Sequence, residues 1–94
     1  MVVFVVGDIV ANEGSEAKLK EELQKLLEPT RAEDGCIQYD LHEDLTDSGH
    51  FIFYEQWETK EHLQAHFQSP HAMALGEKAG DLVKSLKVSQ LKKL

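Results

Sequence analysis

The sequence predicts an α+β fold: a ferredoxin-like sandwich, an antiparallel sheet with helices on one face. Three observations point there. Val2–Val10 is apolar on both parities, as a central strand covered on both sides would be. Cys36–Glu43 and His50–Trp57 alternate and flank Asp44–Gly49, a loop of turn formers, so they form an antiparallel hairpin. Helical periodicities after the first strand and after the hairpin complete the order β-α-β-β-α(α)-β, a split βαβ core. Ninety-four residues make one domain, residues 1–94.

Taken in order, the first strand sets Val3, Val5 and Ile9 against Val2, Phe4, Val6 and Val10. Asn12–Ser15 is a turn and cap region. In Glu16–Leu27, Leu19, Leu23, Leu26 and Leu27 form one stripe at helical spacing. Glu16 with Lys20 and Glu21 with Lys25 are i,i+4 pairs worth about 0.2–0.5 kcal/mol each. Pro29 ends this helix or follows its end closely, and Arg31–Gly35 turns the chain back. In the hairpin, Ile37, Tyr39 and Leu41 share one face and Cys36, Gln38, Asp40 and His42 the other. Phe51, Phe53, Glu55 and Trp57 oppose Ile52, Tyr54 and Gln56. Thr59 caps a helix over Lys60–Gln68. Ser69-Pro70 supplies a cap and a first-turn proline for the last helix, where Ala72, Leu75, Ala79 and Leu82 follow at helical spacing. Gly76 and Gly80 there either allow a close backbone approach or weaken the helix. Lys84–Leu91 is the last strand, and Lys92-Lys93 blunts its end.

A chain this short buries only about 60–65% of its unfolded surface. Both sheet faces are apolar, yet the helices suffice for one. The economical cover is a second copy, sheet against sheet, in a two-fold homodimer. The formal charge of -7 repels phosphate backbones, and no basic stripe with aromatics is present, so nucleic acid is excluded as a partner. No apolar run approaches the ~20 residues that span a bilayer. The N-terminus lacks the features of a signal peptide, and the single cysteine forms no internal disulfide, so the expected location is the cytoplasm.

Gly35-Cys36 with Tyr39, then Glu55-Gln56-Trp57-Glu58-Thr59, then Ala65-His66 and Ser69-Pro70-His71 resemble the antibiotic biosynthesis monooxygenase family, in particular its small quinol monooxygenase-like members. The resemblance covers nearly the whole chain. It implies a dimeric alpha-beta barrel built from facing sheets, each subunit keeping its own pocket between helices and sheet. It also implies oxidation of a small phenolic or quinol substrate by dioxygen without a cofactor.

Each candidate residue carries two readings. His66, beside Phe67 and one turn before Pro70, can take a proton from a bound phenol, or it can be a partly buried histidine tying the helix junction to a carbonyl. His71, in the first turn of the last helix, where a charged imidazole is disfavoured, can contact a ligand oxygen or be an exposed cap residue. Trp57 can stack an aromatic substrate or simply fill the core; the resemblance favours a cavity wall. Tyr54, Phe67 and Met73 are the other expected walls. His62 and His66 stand i,i+4 with Glu58 before them, but Glu58 sits at a helix start where a third ligand is poorly held, and no metal site is expected. Cys36 has no basic neighbour to activate it. No dinucleotide or phosphate loop is present.

The functional expectation is therefore a cofactor-independent monooxygenase, with His66 as base, His71 as polar contact, and Trp57, Tyr54, Phe67 and Met73 as walls. Haem degradation, known on this fold, would need ligands at about Gly76 and Gly7, where glycine offers none. A dimeric binding protein or an isomerase of a small carbonyl metabolite is the alternative, since fold alone does not decide function.

Overall fold

Strand β1 (Val3–Ala11) is central in a four-stranded sheet in a computed structural model that describes residues 1–94. It pairs antiparallel with β3 (His50–Trp57) on one side and β4 (Val83–Leu91) on the other, and β2 (Cys36–Glu43) forms the far edge, giving the order β2-β3-β1-β4. The helices are α1 (Glu16–Gln24), α2 (Leu27–Arg31), α3 (Lys60–Phe67) and α4 (Pro70–Ala79), followed by a 3₁₀ turn at Gly80–Leu82. The sheet is open, and no helix is long and apolar enough to cross a membrane.

The alternation of β1 decides the layers. Val3, Val5, Ile9 and Ala11 are buried with Leu19, Leu23 and Leu63 in one core, each large side chain worth about 1.5–3 kcal/mol of burial. Phe4, Val6 and Val10, with Ile52 and Tyr54 beside them, are half-buried on the face without helices. The expected ferredoxin-like sandwich is therefore the observed one. On edge strand β4, Leu86, Val88 and Leu91 are exposed.

Several local expectations are corrected. Pro29 does not end the helical stretch. The chain breaks after Gln24, and Pro29 sits in the first turn of α2, where a missing N–H costs little. Ser15 makes no side-chain cap. Glu16–Lys20 and Glu21–Lys25 are not the pairs formed: Lys18 and Lys25 both reach buried Glu22, and Lys20 reaches Glu43. A register shift between Cys36 and Gln38 throws Ile37 outward, 50% exposed, and turns Cys36 toward the core instead. Gly76 and Gly80 touch no neighbouring backbone; a Cβ at either would meet open space.

Candidate active site: one carboxylate between two histidines

The junction of α3 and α4 builds the site. Thr59 caps α3 by accepting from the His62 N–H at 3.1 Å. At the other end, Ser69 Oγ donates to the His66 carbonyl at 2.6 Å and accepts from the Ala72 N–H at 3.3 Å. With Pro70 at the first helical position, this turn is tight. It brings His66, in the last turn of α3, near His71, in the first turn of α4; their ring centroids are 6.1 Å apart.

Between them stands Glu33, from the loop joining α2 to β2. Its Oε2 lies 2.7 Å from His66 Nδ1 and 2.7 Å from His71 Nε2. An ionised carboxylate only accepts, so both ring nitrogens donate to it. In the neutral rings, that arrangement sets the tautomers and leaves His66 Nε2 and His71 Nδ1 with their lone pairs. The loop depends on Gly35. Its φ is +83°, and a Cβ there would lie 2.2 Å from the His62 ring, so any side chain strains the backbone and forces that ring to shift.

Aromatic rings surround His66, which is 5% exposed. Trp57 lies 4.8 Å away in a tilted stack, Tyr39 meets it edge-on at 5.5 Å, and Phe67 is at 5.8 Å. Beneath Trp57, the indole N–H donates to Glu55 Oε1 at 2.9 Å. Glu55 is 6% exposed. Burial pushes its carboxyl up to about 7, against the Trp57 hydrogen bond and with help from the charge of Glu33. Burial, then the charge of Glu55, raises the Tyr39 phenol well above its usual range, so it stays protonated. Burial also lifts the Cys36 thiol to about 11, with Glu33 and Glu55 adding to the effect; this lowers its thiolate fraction and slows its reactions.

Of the expected site residues, the structure brings together His66, His71, Trp57 and Phe67. It does not bring Tyr54, which pairs across from Val6 and Asp40 on the opposite sheet face; the two-residue period of a strand puts it there. Met73, 57% exposed, points off α4 away from the core. His62 is turned aside: its Nδ1 takes the Thr59 hydroxyl at 2.8 Å and its Nε2 faces Asp34 at 3.5 Å. An apolar hollow of about 350 Å³ lies between α1, α4, β1 and β4, against Ile9, Leu19, Leu75 and Leu86. None of the expected walls borders it. Leu75, on its lining, follows His71 by one turn of α4.

Two residues of the site escape sequence reasoning. Glu33 is 33 residues from one histidine and 38 from the other, and nothing local marks it. Glu55 did leave a signal: it is the one charged residue on a strand parity otherwise made of Phe51, Phe53 and Trp57.

A small α+β domain with a paired-histidine carboxylate under a helix junction defines a class with acid–base capacity in a largely apolar setting. The chain belongs to the antibiotic biosynthesis monooxygenase family, whose pattern matches residues 2–78. Its fold superimposes on the crystal structure of PA3566 from Pseudomonas aeruginosa with a TM-score of 0.96 at 35% identity, covering 99% of this chain and 94% of that one. Rv0793 from Mycobacterium tuberculosis superimposes at 0.92 and 30% identity, over 100% and 96% of the two chains; that protein carries the name "Putative monooxygenase Rv0793". An uncharacterized protein, sll1783 of Synechocystis, is 35% identical over 81 residues, 86% of this chain. The match spans 55% of the length of that relative.

Proposed function

We propose that this chain is a monooxygenase that oxidises a small phenol or quinol with dioxygen and without a cofactor. The observation that carries the reading is Glu33 Oε2 at 2.7 Å from both His66 Nδ1 and His71 Nε2. Held this way, His66 presents Nε2 as a proton acceptor among Trp57, Tyr39 and Phe67, and Glu33 stabilises the imidazolium that forms, as a carboxylate does behind any catalytic histidine. His71 shares the same carboxylate and contacts a substrate oxygen. Trp57 and Phe67 stack on the ring. Phe67, 39% exposed, and His71, part exposed, are the side chains that move to admit it.

The steps balance. His66 takes the hydroxyl proton, which leaves an electron-rich anion in an apolar site. One electron passes to dioxygen, and recombination forms a carbon–peroxy bond. Cleavage of its O–O bond, with loss of the hydrogen from the same ring carbon, leaves one oxygen as a quinone carbonyl; the departing oxygen takes that hydrogen and the proton held by His66 and leaves as water. Two chains pair through the half-buried face of Phe4, Val6, Ile52 and Tyr54 in this proposal, and sedimentation equilibrium tests it. For the chemistry, oxygen uptake is measured with a panel of quinols in metal-free buffer. His66→Ala lowers turnover by roughly 10²–10⁴ while circular dichroism stays unchanged; an unaltered rate removes His66 from the mechanism. No uptake with any quinol, beside tight binding or isomerisation of a carbonyl compound, favours the binding-protein or isomerase alternative.

A further inference from the structure

We propose that Glu33 Oε2, His66 Nδ1 and His71 Nε2 also form a binding site for one divalent transition-metal ion of the zinc, cobalt and nickel kind, and that the bound ion blocks the acid–base site. The three ligand atoms lie within 4.8 Å of one another. Two imidazole nitrogens and one carboxylate oxygen are a donor set that zinc accepts with a fourth position left for water. These donors favour borderline metals over magnesium or calcium, which prefer all-oxygen sites. Bond lengths of about 2.0–2.2 Å put tetrahedral donor atoms about 3.3–3.6 Å apart, so the two 2.7 Å contacts must open by somewhat over half an ångström.

Each ligand is held from a different segment. His66 is fixed by the turn at Ser69, His71 by the start of α4, and Glu33 by its N–H bond to the Thr30 carbonyl at 3.0 Å. Glu33 and His71 are part exposed, which gives the ion a way in from solvent. The set is not the one that His62 and Glu58 suggest in the sequence, because His62 is engaged by Thr59 and Asp34.

The inhibitory consequence follows from the tautomers and rests on the oxygenase reading; the binding itself does not. A metal on His66 Nδ1 displaces that proton, and the neutral ring then carries its proton on Nε2. The nitrogen that takes the substrate's proton in the metal-free protein becomes a donor.

The test is titration of the full chain, metal-free, with cobalt(II), followed by its visible d–d absorption, and with zinc(II) by calorimetry. One ion per chain is expected, with tetrahedral cobalt bands. Glu33→Gln and His71→Ala each weaken binding at least about tenfold, whereas His62→Ala leaves it unchanged, with circular dichroism confirming that all three variants fold. Absence of the bands, or affinity indifferent to both Glu33→Gln and His71→Ala, overturns the site. Cobalt binding with no oxygen uptake from any quinol leaves the site standing and removes the oxygenase reading. Uptake that continues at saturating zinc overturns the inhibition.

Discussion

Glu55 makes the protein unusual in its response to pH. Most buried carboxylates in ion pairs stabilise a fold as pH rises. Here burial raises the carboxyl from its ordinary 4.5 to about 7, so between those values the folded state holds a proton that the unfolded chain has released. Stability therefore falls as pH rises through this window. At about 1.36 kcal/mol per tenfold change in proton affinity, the full interval is worth about 3 kcal/mol. Glu55→Gln is neutral at every pH and keeps an oxygen for the Trp57 N–H. Its difference in stability from the wild type should shift by about 3 kcal/mol in favour of the variant between pH 4 and pH 8. Any fixed cost of the added amide N–H groups cancels in that shift. His50, raised by its hydrogen bond to Asp8, also loses its contribution as pH rises, but it is present in both proteins. Trp57 is the single tryptophan and fully buried, so urea unfolding followed by its fluorescence, at one protein concentration throughout, provides the assay. A difference that stays flat within about 0.5 kcal/mol across this range would refute the burial argument.

Three further outcomes follow from the same geometry. Gly35→Ala should cost about 1–3 kcal/mol, because the φ of +83° is strained for alanine and its Cβ invades the His62 ring; urea midpoints near the wild-type value would show that the loop relaxes freely. Gly76→Ala should stabilise by about 0.5–1 kcal/mol, since the added Cβ meets nothing and the helix gains rigidity; the reading fails if the melting temperature drops. Cys36, with its thiol near 11 rather than 9, should react with iodoacetamide at pH 8 roughly 100-fold more slowly than an ordinary cysteine. Mass spectrometry over time follows it, and a rate matching a model thiol would contradict the burial of this side chain.

What the sequence determined by itself is periodic and local. Both parities of Val2–Val10 announce a central strand, the Asp44–Gly49 run announces the hairpin, and Thr59 and Ser69-Pro70 mark the two helix starts, all of which the fold repeats, while the second face of that strand stays half-buried within one chain. Side chains that act within one turn or one strand register leave such marks because their spacing is set by the backbone. His66 and Trp57 could be singled out on those grounds. Tyr54 is misplaced as a wall, since its parity, opposite to that of Trp57, already sends it to the far face, and its pairing with Val6 shows it there. The bulge at Ile37, by contrast, is invisible before two strands align. The decisive contact, Glu33 on both histidines, joins a loop to two helices across more than thirty residues. Tertiary structure alone decides it: closing the chain around its core sets where that loop lands, and hydrogen-bond geometry a few tenths of an ångström wide then selects the partner.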